Sequence, residues 1–402
     1  MSRTSRATAR YEQRILDYER QTTAPRRRPA HPRPANKARK AHRARARLRR
    51  IVLLTTLILL FAASMSFAAT LLQPSNVGFG VRFVEWLRDN GAAGLVSQVE
   101  SVYYSLNAPS TGGPALKALP KVGILATAAT YAPPSIAPVV SPPLPGEGVW
   151  HGTGPLVRGA APVLVTTFRP DPSYPQMVAG VAWIDATRAW VQLYPGRYEP
   201  PNSGNPLAEV PPALRGTLLA TFNSGFKLED SGGGFVAFGH VYAPLKDGLA
   251  TFVRLRDGTA DVRAWSGGPT PGPTVEFARQ NLPLIVENGQ LNPNLSDGPQ
   301  WGATLGNAVR VWRSGVGVDS HGDLIYAAAD NQTASSLAEI LRRAGAIRAM
   351  ELDINYEWVT FNFYGSAGAL NPSKLLSGMS RDPARYLSPD DRDFFAVFAR
   401  NG

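Results

Sequence analysis

The 402-residue chain has no cysteine and only five histidines. The first absence excludes disulfides and zinc sites built on thiolates. The second leaves His151, His240 and His321 beyond the N-terminal fifty residues, too scattered to form a histidine cluster on one element. A domain without such staples must be held by its core, which about 250 residues can supply. Charge is also scarce outside the N-terminus. Of 42 Lys and Arg, 17 lie in residues 1–50 against Glu12, Asp17 and Glu19, leaving 25 basic and 27 acidic residues for everything else. The net charge of +12 therefore describes the tail, not the chain.

Residues 1–50 are rich in Arg and Pro and poor in large apolar side chains, so they cannot bury enough surface to offset chain entropy. They are expected to be a disordered basic tail. Residues 51–72, "IVLLTTLILLFAASMSFAATLL", carry no charge over a length that as a helix reaches about 33 Å, enough to cross a bilayer core. A cleaved export signal ending near Ser66-Phe67-Ala68 is the alternative; the long basic region and long apolar run favour a retained transmembrane helix. Arginines against its N-terminal end place the tail in the cytoplasm and the rest outside, by the positive-inside rule. The expected locale is the plasma membrane, single-pass, with anionic lipid rather than nucleic acid as the partner of the tail.

Residues 73–106 contain a helical apolar stripe broken at Asn90-Gly91, read as a juxtamembrane helix lying on the outer membrane surface, packing on a partner or packing on its own domain. Residues 107–148 turn to Pro, Ala and Gly and read as a semi-rigid spacer. From Val149 to Gly402 short runs of Val, Phe, Tyr, Trp and Thr alternate with turn residues, the pattern of strands. Strands are expected at 162–168, 177–184, 189–194, 217–223, 234–242, 250–256, 260–265, 283–287, 309–313, 315–319 and 323–329. One helix, "TASSLAEILRRAGA", has a capping box at Ser336/Glu339 or a cap at Thr333, and Gly345 to stop it. The predicted class is α+β: a mostly antiparallel β exported domain with a few helices, preceded by a single transmembrane helix. After that helix, "IRAMELDINYEW" has period two. A strand there turns Met350, Leu352 and Ile354 to a core and Glu351, Asp353 and Asn355 to the opposite face.

Four segments in order, "ATFNSGFK" (220–227), "LPLIVENGQ" (282–290), "VWRSGVGVDSHGDLIYAAAD" (311–330) and "LAEILRRAGAIRAMELDIN" (337–355), together resemble the phosphodiester glycosidase family across residues 160–364. Asn223, Gly225 and Phe226 fall on its Asn-Gly-Gly-Phe, with Ser224 in place of the first glycine. Asn288 and Gly289 fall on its Asn-Gly, Arg313 on the arginine ahead of a glycine-rich strand, and Asp330 on an aspartate ending the next strand. Leu352 and Asp353 fall on the Leu-Asp of its Asn-Leu-Asp-Gly-Gly-Gly-Ser signature. The match then breaks. Glu351 replaces the asparagine, and Ile354-Asn355-Tyr356-Glu357 replace the glycine run and serine, turning a backbone loop into a bulkier one lined by side chains.

The resemblance implies a hydrolase acting on a sugar-1-phosphodiester; with the membrane anchor and the Ala/Arg/Pro-rich composition, the expected substrate is an envelope polymer or glycoconjugate of a bacterial cell. Such chemistry develops positive charge at the anomeric carbon and expels a phosphate ester, so it needs a carboxylate near the sugar and cations or amides near the phosphate. The candidate catalytic residues are Asp353, Glu351 and Asp330. The candidate binding residues are Arg313 for phosphate, with Asn223, Gly225, Asn288 and Asn355. No cofactor is required by these groups; a divalent cation is compatible with them, and no metal ligands can be named. A catalytically silent glycan-binding or envelope-organising domain on the same scaffold is the alternative, motivated by the lost glycine run.

Overall fold

A computed structural model of the chain describes residues 4–22, 34–120, 122, 132–205, 207–296, 298–302 and 310–400. Two compact units divide it, residues 1–69 and 70–402. The first consists of helix α1 (Thr4–Thr22) and most of α2 (Pro34–Leu72). The structure departs from the disordered-tail expectation by making these segments helical. Their described side chains are nearly all exposed, so the helices rest on local propensity rather than on a core. The apolar run forms the C-terminal part of α2, the one described helix long and apolar enough to cross a membrane.

In the second unit, α3 (Phe79–Leu87) and α4 (Ala93–Leu106) form a hairpin. The expected break at Asn90-Gly91 is real. A wide helical turn at Arg88–Ala92 joins them, with Gly91 at φ +86°, where a side chain would be strained. Residues 107–148 do not behave throughout as a free spacer. Ile136 and Val140 are buried, and Glu147 makes a buried ion pair with Arg169 at 2.8 Å. Part of the segment, residues 123–131, lies outside the described residues.

The strands are β1 (His151–Thr153), β2 (Val163–Phe168), β3 (Ala179–Ile184), β4 (Ala189–Tyr194), β5 (Leu218–Asn223) and β6 (Phe235–Ala237). Next come β7 (His240–Ala243), β8 (Ala250–Leu255), β9 (Ala260–Ala264), β10 (Val275–Gln280), β11 (Leu284–Glu287) and β12 (Gln290–Leu291). The last are β13 (Val311–Val318), β14 (Leu324–Gln332), β15 (Arg348–Glu351), β16 (Phe361–Ser366), β17 (Leu370–Lys374) and β18 (Phe394–Ala399). The short α5 (Leu228–Ser231) follows β5, and α6 (Ala334–Arg343) follows β14. The sheet orders are β1-β2-β3-β14-β13-β15-β11-β12, β7-β6-β10-β8-β9 and β17-β16-β5-β18-β4, with antiparallel pairing throughout. The class is α+β.

Apolar side chains from all three sheets, among them Val165, Met350, Phe222, Phe395, Phe252 and Phe277, share one buried core. Helix α6 covers the other face of the largest sheet with Leu337, Ile340 and Leu341. Its cap is Thr333 in a reciprocal box with Ser336, the second of the two alternatives. Several strand boundaries shifted for local reasons. The run 234–242 is a hairpin, because Phe238 and Gly239 both take positive φ. The expected strands at 309–313 and 315–319 are one strand, β13. The predicted alternation across 348–355 fails because β15 ends at Glu351: the Leu352 N–H turns to the Ser314 carbonyl (2.8 Å) and that of Asp353 to the Ser224 carbonyl (3.0 Å). Glu351 and Asp353 are buried, not solvent-facing.

Candidate functional site

Three chain segments meet where β5, β15 and β18 end or begin. Phe394 pairs with Asn223, so Arg392 and Gly225, each two residues beyond that pair, lie at the same end of the sheet. The Arg392 Nη2 donates to the Gly225 carbonyl (3.1 Å) and to Asp353 Oδ2 (2.8 Å). Asp353 Oδ1 accepts from the Asn355 N–H at 3.0 Å, and its carbonyl accepts from Ser314 Oγ at 2.7 Å. Trp358 lies against the arginine, its ring centre 5.2 Å from the guanidinium carbon. Lys227, directly after the Asn223–Phe226 motif, pairs with Glu85 of α3.

Glu85, Lys227, Asp353, Trp358 and Arg392 line a cavity of about 450 Å³ together with Phe226, Ile354 and Asn355, a third cation, Arg88, and three further carboxylates, Asp89, Glu229 and Asp230. Burial raises the Asp353 carboxyl above its usual range, outweighing the Arg392 guanidinium and the Asn355 N–H; Asp393 and Glu85 add to the rise. Burial opposes the charge on Arg392, but Asp353, Glu199, Asp393 and Glu85 more than compensate and hold it protonated. Burial likewise opposes the Lys227 charge, and the Glu85 carboxylate overcomes it. Beneath the cavity Arg279 is wholly buried, donating to Asp393 at 2.8 Å and to the Phe226 carbonyl at 2.5 Å. It locks the segment that carries Gly225 and Lys227 to the one that carries Arg392.

The candidates named from sequence divide among different roles. Asp353 and Asn355 line the cavity; Gly225 does not, and its carbonyl accepts from Arg392. Asn223 lies beneath. Its amide donates to Ser224 O and Ser314 Oγ and accepts from Tyr326 OH and Thr360 N–H, all within 3.0 Å, so its hydrogen-bonding capacity is used internally. Arg313 and Glu351 form a buried pair at 2.5 Å, and the guanidinium also donates to the Trp301 and Gln332 carbonyls. Neither lines the cavity of Asp353. The described partners of Arg313 are thus internal ones, Glu351, Trp301 and Gln332, and not groups of this cavity. Burial pushes the Glu351 carboxyl up to about 7 against the pull of Arg313.

Asp330 is exposed at the end of β14 and lines an adjoining cavity of about 640 Å³ with Trp312, Tyr104 and Asn355. Asn288 is an exposed turn residue at φ +51° beside Ile347. Ile347 immediately precedes β15 and Glu351 ends it, about 13 Å away along the chain direction, so Asn288 is not brought to the cavity. One described group has metal-ligand spacing, Asp319, His321 and Asp323. It occupies the β13–β14 turn, where Asp319 Oδ1 accepts the His321 and Asp323 N–H groups. That is turn chemistry at the far end of β13 from Arg313.

Sequence reasoning missed Arg392, Lys227, Trp358 and Glu85. Lys227 adjoined a recognised motif, and "DDRD" at 390–393 was a charge run beside an apolar strand, which signals buried pairing without saying with what.

The segment that carries these groups also has a recognisable family pattern. Residues 215–353 match the phosphodiester glycosidase family. The resemblance of the four motifs is therefore borne out over that stretch, which ends at Asp353, and the family is one of hydrolases. Comparison with solved structures finds the catalytic domain of zebrafish N-acetylglucosamine-1-phosphodiester alpha-N-acetylglucosaminidase, auto-inhibited by its pro-peptide: 17% identity, TM-score 0.38, covering 62% of this chain and 87% of that one. It also finds a hypothetical protein from Synechocystis, at 13% identity and TM-score 0.36, covering 61% of this chain and 64% of that one. A putative exported protein from Burkholderia pseudomallei is similar at 12% identity and TM-score 0.31, covering 58% and 75%. No curated protein matches the chain.

Proposed function

We propose that the phosphodiester glycosidase-like domain hydrolyses a sugar-1-phosphodiester outside the plasma membrane, anchored by the apolar part of α2, with the basic tail on anionic inner-leaflet lipid. The observation that carries this reading is the grouping of the buried Asp353 carboxylate with the cations Arg392 and Lys227 and the Trp358 ring on one cavity, whose remaining charged lining is Arg88 and the carboxylates Glu85, Asp89, Glu229 and Asp230. Arg392 and Lys227 supply charge for the phosphate. Asp353 faces the sugar, either stabilising the positive charge that grows on the anomeric carbon or activating water. Phosphate leaves readily, so little general-acid assistance is needed.

Envelope glycans and glycoconjugates are the substrate class that suits an extracytoplasmic site. The second reading, a silent glycan-binding domain, draws on two features of the same cavity: both cations are already paired, and Ile354 of the altered signature packs on Phe226 and Val311. Turnover separates the two. The full chain in detergent is assayed with sugar-1-phosphodiesters that differ in sugar, beside Arg392→Met and Lys227→Met. Hydrolysis with KM raised in both variants supports the enzyme; saturable binding without release of sugar supports the silent domain.

A further inference from the structure

The two sides of α4 have different fates. Val96, Glu100 and Tyr104 follow one another at four-residue intervals on the inner side: Val96 is buried, Glu100 pairs with Arg88 at 2.6 Å, and Tyr104 packs on the cluster of Phe226, Val311 and Ile354. On another side, Leu95, Val99, Val102 and Leu106 are 62%, 62%, 59% and 81% exposed. At the α-helical angular step these four fall within an arc of about 60°. The only charged residue of α4 is Glu100, and it is turned inward. An exported domain thus presents a continuous apolar stripe with no charge on it.

The sequence places this stripe close to a bilayer. Six residues separate Leu72, the end of the candidate span, from Phe79 at the start of α3, a reach of about 20 Å at most. That linker is not slack. Asn76 donates to Asp390 at 2.8 Å, Tyr198 to the Pro74 carbonyl at 2.9 Å, and Val77 is buried. We propose that the exposed face of α4 rests in the interfacial layer of the outer leaflet, its occupant being phospholipid acyl chain and headgroup rather than a protein partner. Amphipathic helices with one uncharged apolar face lie in that layer. The arrangement gives the hairpin a double role: one side docks on lipid while the other contributes Glu85 to the cavity of Asp353.

The absence of cysteine makes the test clean, because a single introduced thiol is unique. Nitroxide labels are placed at Val99→Cys, Leu106→Cys and, as a water-exposed control on the β8–β9 turn, Arg256→Cys. The full chain is reconstituted in phosphatidylcholine–phosphatidylglycerol bilayers. The ratio of collisions with oxygen to collisions with a polar nickel chelate should be about tenfold higher at 99 and 106 than at 256, since the interface concentrates oxygen and excludes the chelate. Equal ratios at all three positions overturn the proposal. So does dipolar broadening between labels at 99, which would show that a second copy covers the stripe. The readout is independent of turnover, so it stands or falls separately from the catalytic reading.

Discussion

Arg313 and Glu351 supply the sharpest prediction, because they form a buried ion pair that does not line the cavity of Asp353. The pair is almost fully buried, with side-chain exposures of 3% and 0%. Removing one partner of such a pair leaves a buried charge without compensation, at a cost of about 3–5 kcal/mol, whereas replacing both with apolar groups of similar volume is often close to neutral. Arg313→Met and Glu351→Leu should therefore each destabilise the domain by about 3 kcal/mol near pH 8, and the double variant should lie within about 1–2 kcal/mol of the parent.

The pH dependence follows from the same carboxyl. Its folded value of about 7 lies above the ordinary 4.5, so between these the folded state holds more protons than the unfolded state. Stability contributed by this group is therefore complete below pH 4.5, falls as pH rises toward 7 and levels off above it. At about 1.4 kcal/mol per unit the loss is about 3 kcal/mol. Urea unfolding followed by tryptophan fluorescence at pH 5 and pH 8 reads both effects. Additive costs in the double variant would refute the reasoning, as would an Arg313→Met protein of unchanged stability whose substrate binding is lost.

Three further outcomes follow from the geometry. Asn223→Ala removes four internal hydrogen bonds and should cost about 2–4 kcal/mol in unfolding experiments, with KM little changed in whatever protein remains folded. Glu85→Gln removes the nearer of the two carboxylates on the Lys227 ammonium, leaving Glu229 at 3.7 Å, so KM for an anionic phosphodiester should fall at low salt; an unchanged KM would detach Lys227 from binding. Arg392→Met removes the cation that opposes the upward shift of Asp353, so the acid limb of the pH–rate profile should move to higher pH.

Much of the fold was legible because its signals are local. Short runs rich in Val, Phe, Tyr, Trp and Thr between turn residues marked β2, β3, β4, β5 and β8 within a residue or two, and the Thr333 cap and Gly345 bounded α6. What escaped depends on partners distant in sequence. Glu351 and Asp353 read as a wet strand face because the pattern alone cannot show that Arg313 and Arg392 neutralise them in the interior. Strand β10 was missed because its apolar residues are interspersed with Glu276, Arg279 and Gln280, and Arg279 finds its partner Asp393 more than a hundred residues away. The site is legible in part for the same reason. Asp353 stood in a motif, but the arginine that faces it lies 39 residues further along the chain, ahead of β18, and no local pattern links the two.

Most direct is the release of free sugar from a sugar-1-phosphodiester by the full chain, compared with Asp353→Asn, an isosteric change whose single amide oxygen keeps one of the two hydrogen bonds that Asp353 accepts from Arg392 and Asn355. The account predicts measurable hydrolysis in the parent and a loss of about a thousandfold or more in the variant, with phosphodiester binding retained. Hydrolysis at the parental rate in a folded Asp353→Asn protein would contradict it.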